Sequence, residues 1–251
     1  MKGWSFFLHS VKLVFRNLQE ALQIGLVPSV IMAFLIALIF NQSGLSMGQI
    51  SGDVAIDLVE SQQEIRPGWL FLGGLVWGLI TLWIFVAWHR FVLLEEYPKG
   101  WVPPLHFDRM LGYFGRGLMI IVLIVVIGLA ASLITALLGP LGVVVMIAVW
   151  IFLIVLLYRL SVVLPAVAIG RPMSFGDAWR ATEGSTGAIL LLVVIMAIVQ
   201  LGLQVVFGVA ISILPILGIA VQVIVTLIFS LINVSILTTL YGHYIEGRAL
   251  D

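Results

Sequence analysis

Long apolar runs alternate with short polar islands along this chain. Six runs, at about 21–40, 69–91, 117–138, 141–164, 188–213 and 216–241, are each near the ~20 residues that a helix needs to cross a hydrocarbon layer of about 30 Å. The pattern predicts an all-α polytopic membrane protein, a single integral membrane domain over residues 1–251 with six transmembrane helices in three hairpins. Gly139-Pro140 joins the third and fourth spans as a tight turn, and Pro215 marks the turn between the fifth and sixth. Pro28 falls in the first turns of the first span, where neighbouring helices can satisfy the freed carbonyl. In the second span, Gly74 and Gly78 stand at the spacing that lets another helix approach, which predicts internal packing. Residues 41–68 form the one long outer loop, and a short surface helix is expected over Val54–Ile65.

A second periodicity precedes each hairpin, and predicts a cytoplasmic amphipathic interfacial helix at each. Over residues 3–20, Trp4, Phe7, Leu8, Val11, Phe15 and Leu18 recur at three- and four-residue spacing, with His9, Lys12 and Arg16 off that face. Such a helix lies in the membrane interface; the alternative is a plain start to the first span. Phe107, Met110, Leu111 and Phe114 repeat the spacing before the third span, and Phe175, Ala178, Trp179 and Thr182 before the fifth. Within Gly170–Gly187, Ser174 with Asp177 makes a capping-box pair, and Gly184 is a stop signal. The markers recur together: Arg90 to Arg159 is 69 positions, and Phe107 to Phe175 is 68. They suggest an internal threefold repeat, although aromatic belts at membrane interfaces produce similar patterns.

Composition agrees with the pattern. The chain is 62% hydrophobic and 10% charged, with mean hydropathy +1.23, against about 25% charged in soluble domains. A formal charge of zero gives no reason to expect nucleic acid. With no cysteine, disulfides, thiolate metal sites and cysteine nucleophiles are excluded. Lys12 and Arg16 interrupt the first apolar residues, so the start of the chain does not read as a cleavable signal peptide. Of the 12 Lys and Arg residues, all but Arg66 fall on one side of the predicted topology. By the positive-inside rule that side is cytoplasmic and holds both termini, while the loop carrying Asp53, Asp57, Glu60 and Glu64 faces outward.

The search for chemistry finds no catalytic constellation. His9, His89, His106 and His243 lack metal-ligand spacing, no serine-hydrolase, Walker or His-Glu-x-x-His motif occurs, and no acid lies clearly inside a span. Neutral intramembrane polarity remains: Gln200 and Gln204 on the fifth span, and Gln222, Thr226, Ser230 and Asn233 along the sixth. This stripe is either a polar path or a set of interhelical hydrogen bonds, and the second reading is favoured. Arg90 and Arg159 are each followed by further apolar residues. Snorkelling explains such arginines. The sharper expectation is that Arg90, Arg159 and His243 converge, balanced by Asp108 and Asp177, to hold a lipid phosphate. Trp179 and Arg180 complete the candidate contact surface for lipid or a membrane partner.

Six spans, a Leu-Pro-Ala-Val after the fourth (Leu164–Val167), a Ser-Phe-x-x-Ala-Trp-Arg helix (Ser174–Arg180) and the terminal Tyr241, Tyr244 and Arg248 resemble a bacterial inner-membrane family. It comprises the YciC-like proteins and the membrane domain of some glycerophosphodiester phosphodiesterases. The resemblance implies a multi-pass protein of the bacterial inner (plasma) membrane. It brings no phosphodiesterase activity, because that catalytic domain is missing from the sequence. Together these observations lead to a non-enzymatic protein without a cofactor, in contact with membrane lipids and possible membrane-protein partners, in a structural, assembly or envelope-maintenance role. The alternative is a transporter or permease subunit for a small or lipidic substrate; an intramembrane enzyme is more distant.

Overall fold

The computed structural model describes residues 2–43 and 66–250. The expected helix at Val54–Ile65 and the acidic outer residues lie outside these. Regular structure among the described residues is entirely helical. In chain order the helices are α1 (Lys2–Arg16), α2 (Leu18–Ser43), α3 (Pro67–Leu94), α4 (Phe107–Ala136), α5 (Pro140–Ser161), α6 (Val163–Ala168), α7 (Phe175–Ala181), α8 (Thr186–Ile213) and α9 (Pro215–Tyr244). Six are long and apolar enough to cross a membrane: α2, α3, α4, α5 continued through α6, α8 and α9. The chain is thus an integral membrane protein by the length and composition of its helices.

Consecutive long helices pack against one another: α2 on α3, α4 on α5, α8 on α9. The hub is α9, which touches α1, α2, α3, α6 and α8. Half of its apolar window is buried, against 6% for α4. Burial is concentrated towards one end of the bundle, the end that gathers Arg90, Arg159, Arg171 and Arg248. There Trp88, Phe6, Val162, Val163, Ala166 and Ile236 are essentially inaccessible. Towards the other end the helices are exposed over most of their circumference, as Phe34, Phe71, Leu133, Val144 and Val205 illustrate at 63%, 70%, 72%, 67% and 68%. In lipid, apolar side chains have no solvent-driven reason to leave the surface, so only good packing or hydrogen bonding draws them inward.

The three entry segments differ in construction. In the first, α1 and α2 are separate helices broken at Asn17, whose side-chain amide donates to the Leu13 carbonyl at 2.7 Å. In the second, the segment from Phe107 runs without a break into the third span as one 30-residue helix, so no separate interfacial helix forms there: nothing in Gly115–Gly117 stops a helix whose hydrogen bonds continue on both sides. In the third, α7 is a distinct helix. Ser174 caps it, its hydroxyl accepting from the Asp177 N–H at 3.1 Å and donating to the Asp177 carboxylate at 2.6 Å, and Gly184 lies beyond its end at φ +74°.

Apolar stripes and buried faces do not coincide. Along α1 the buried residues are Gly3, Phe6, Ser10 and Val14, packed on α8 and α9, while Trp4, Leu8 and Phe15 are exposed. On α4, Met110 is buried and Phe107, Leu111 and Phe114 are exposed. The glycines also differ from expectation. A Cβ at Gly74 or Gly78 would meet nothing within 4 Å among the described residues, whereas one at Gly73 would touch Ile39 at 3.4 Å. Between helices distant in the chain, close approaches use Gly3, where a Cβ would lie 2.5 Å from the Ala188 carbonyl oxygen, and Gly112, where it would lie 2.8 Å from Val167 Cγ1.

Candidate functional site

The Leu-Pro-Ala-Val segment forms α6, and every residue of this helix is buried. Proline is tolerated there because it sits in the first turn of a new helix. Gly170, at φ +80°, closes it in a Schellman arrangement: Arg171 N–H donates to the Ala166 carbonyl at 2.8 Å and Gly170 N–H to that of Val167 at 3.0 Å. The helix packs on α3, α4 and α9, so the residues around it define the basic end.

Arginines reach across that end to main-chain carbonyls, several at helix C-termini. Arg90, near the end of α3, donates from Nη1 to the Ala168 carbonyl at 3.2 Å, while Nε and Nη2 bind one oxygen of Glu96 at 2.8 and 2.5 Å. His106 Nε2 lies 3.3 Å from the other Glu96 oxygen. Arg159 is buried. Its Nε donates to Thr182 Oγ1 at 3.0 Å, its Nη2 donates to the Trp179 carbonyl, and its guanidinium lies 3.4 Å from the centroid of the Trp179 ring. Arg248 donates to the carbonyls of Leu93 and Val92 at 3.3 and 3.5 Å. The last-turn carbonyls of a helix lack intrahelical donors and carry the negative end of its dipole, so a guanidinium there satisfies both needs.

The residues expected to converge are each engaged with partners of their own. Arg90, Arg159 and His243 hold different partners: Arg90 has Glu96, Arg159 has Thr182 and Trp179, and His243 Nδ1 bonds the Arg248 carbonyl at 3.1 Å. Asp108 and Asp177 do not balance them. Asp108 pairs with Arg109 at 3.0 Å and Asp177 with Arg180 at 2.6 Å; the acidic side chain whose charge acts on Arg159 is Glu183. Each acid is captured by the base nearest in sequence, which leaves it short of the more distant arginines. The Ser174 hydroxyl first, and Arg180 second, hold the Asp177 carboxyl below the ordinary carboxylate range. Two other pairs form among the candidate residues, Arg159 with Trp179 and Asp177 with Arg180.

The polar stripe stays dispersed. Gln200, Gln204 and Thr226 are exposed, and Gln222, Ser230 and Asn233 are half-buried. Ser230 and Asn233 bond back to the carbonyls of Leu227 and Phe229 at 2.8 and 2.9 Å. The buried polar face of α9 lies elsewhere, at Ser235, Thr238 and Thr239; Asn233 and Ser235 are about 200° apart around the helix. Trp88 Nε1 donates to Ser235 Oγ at 2.8 Å, His89 Nδ1 lies 2.8 Å from Thr238 Oγ1, and Ser10 Oγ lies 3.0 Å from Thr239 Oγ1. His89 Nε2 lies 3.3 Å from the Tyr113 hydroxyl. This network joins α1, α3, α4 and α9. Its signal in the sequence was the adjacent Trp88-His89 near a span end, facing hydroxyls at i, i+3 and i+4 on another span.

The chain matches no family model, no curated protein and no solved structure.

Proposed function

We propose that this chain is a non-enzymatic, multi-pass protein of the bacterial inner membrane with a structural, assembly or envelope-maintenance role. It exercises that role by gripping inner-leaflet lipids or a membrane partner at its basic end, which faces the cytoplasm with both termini. The observation that carries this reading is the outward direction of the apolar stripes. Trp4, Leu8 and Phe15 on α1, and Phe107, Leu111 and Phe114 on α4, are exposed although each helix has a buried face available. Aromatic and branched residues held outward beside Lys12, Arg16, Arg109 and Arg116 suit the interface of an anionic leaflet. The polar side chains behind them are engaged with the chain's own carbonyls and hydroxyls, which fits a scaffold. Kinship with the YciC-like proteins belongs to the same proposal, and rests on the buried Leu164–Val167 turn and the capped Ser174–Arg180 helix.

The absence of cysteine makes a direct test simple. Leu8→Cys and Leu111→Cys, each labelled with an environment-sensitive fluorophore in nanodiscs, should be quenched by lipid-borne spin labels and protected from aqueous iodide. Iodide quenching at both sites would remove the lipid-gripping reading. A second reading has its own observation. Exposed amides such as Gln200 and Gln204 are costly against hydrocarbon, so a water-filled cleft beside α8 would make the chain a transporter or permease subunit. Rapid labelling of Gln204→Cys by a membrane-impermeant thiol reagent supports that alternative; protection from it supports the scaffold.

A further inference from the structure

A cavity of about 240 Å³ lies at the basic end, beneath the segment that follows α9. Its cationic and titratable lining comes from three elements: His9 on α1, His243 on α9 and Arg248 in the tail. Thr238 and Thr239 add hydroxyls, and Leu13, Val92 and Leu250 close the apolar side. Among the described residues, no carboxylate lines it. The nearest described acid, Glu246, sits beside Arg248 with an oxygen 2.7 Å from Nε and leaves the Nη groups to their other partners.

We propose that this cavity binds a phosphate monoester or diester group, with the tail as its strap. Three observations support that chemistry. First, the lining brings the Arg248 guanidinium together with two imidazoles, and the one described carboxylate beside it, that of Glu246, meets Nε and not the Nη groups; the Thr238 and Thr239 hydroxyls donate to Val234 and Ser10 and serve only as walls. Second, the contacts of Arg248 to the Val92 and Leu93 carbonyls are long, at 3.5 and 3.3 Å. They engage neutral acceptors, so an anion competes for the same fork on better terms. Third, His243 Nδ1 is engaged with the Arg248 carbonyl, which leaves Nε2 as the remaining polar atom of that ring and ties its position to the tail. The mixed walls fit a charged group carrying a short polar substituent. That chemistry is shared by a phospholipid headgroup and by a soluble phosphate ester. The headgroup source rests on the lipid-gripping reading above.

The test uses the full chain in mild detergent and in nanodiscs. Native mass spectrometry with phosphatidic acid, phosphatidylglycerol or phosphatidylcholine reads lipid retention; thermal shift with glycerol 3-phosphate or inorganic phosphate reads the soluble source. Phosphatidic acid is expected to be retained by the wild type, and about tenfold less by Arg248→Gln and His243→Gln. Arg180→Gln, outside the cavity, should retain it fully. If Arg248→Gln does not fold, Ala249→Trp fills the cavity without removing a charge and should abolish retention. A thermal shift with glycerol 3-phosphate that Arg248→Gln removes, without selective lipid retention, assigns the soluble source. Equal retention across all variants, or no response to any phosphate, overturns the site. Lipid quenching at Leu8→Cys with no phosphate response sinks this site alone; phosphate binding without that quenching sinks only the lipid-gripping reading.

Discussion

The guanidinium of Arg159 stacks 3.4 Å from the centre of the Trp179 ring and donates to that residue's own carbonyl. One buried cation thus holds both the side chain and the main chain of α7 against the end of α5. A double-mutant cycle between Arg159→Gln and Trp179→Leu should give a coupling of about 1–2 kcal/mol, measured by reversible unfolding in mixed micelles. Additive effects would show that the stacking contributes nothing beyond its hydrogen bonds.

Among the described residues the Tyr113 hydroxyl meets His89 Nε2 at 3.3 Å, whereas Thr238 also donates to the Val234 carbonyl at 3.0 Å. His89→Leu therefore strands Tyr113 and should destabilise the protein by about 1–3 kcal/mol. Adding Tyr113→Phe removes the stranded group and should recover part of that loss. A double mutant no more stable than His89→Leu would mean that Tyr113 finds another acceptor.

A side chain at Gly112 would press on Val167 of α6 at 2.8 Å. Gly112→Val should lower stability by about 1–3 kcal/mol, with Val167→Ala restoring part of it by making room. Thermal denaturation of the single and double variants decides this. An unchanged midpoint in Gly112→Val would mean that α4 and α6 are not tightly apposed there.

The Asp177 carboxyl is held below its ordinary value of 3.8 by the Ser174 hydroxyl and Arg180. A depressed folded-state value means that its support for α7 is fully present above pH ~4 and is lost as pH falls through the folded value. Hydrogen exchange over 175–181 should therefore accelerate on acidification below pH ~4. In Asp177→Asn the same amides should exchange faster at neutral pH, with that acid dependence gone. Protection that stays flat in the wild type as pH falls would disprove the cap's charge dependence.

The six spans could be read from the chain because lipid imposes a length and a composition on any helix that crosses it. The α7 cap was equally legible, since Ser174, Asp177 and Gly184 act over a few residues. What the sequence obscured was facing. The stripes of α1 and α4 mark the outward side expected of interfacial helices, and Trp4 and Phe107 are exposed; the face of α1 that is buried, Gly3, Phe6, Ser10 and Val14, carries no such stripe. Hydrophobicity does not separate a buried from a lipid-facing side chain when lipid is the solvent. Arg90 and Arg159 stood out in the sequence as apolar-flanked cations, but their partners did not: the carbonyls of Ala168 and Trp179 have no sequence signature. The hydroxyls at Ser235, Thr238 and Thr239 were overlooked beside the larger amides of Gln222 and Asn233, although small hydroxyls fit closer helix contacts.

Concentrating burial at one end gives the molecule two mechanical characters. Near Trp88 and α6 the helices are cross-linked by interlocking side chains and hydrogen bonds. Further out, each pair is held chiefly along its own seam and wetted by acyl chains on its other sides. Such a body is stiff in one leaflet and compliant in the other.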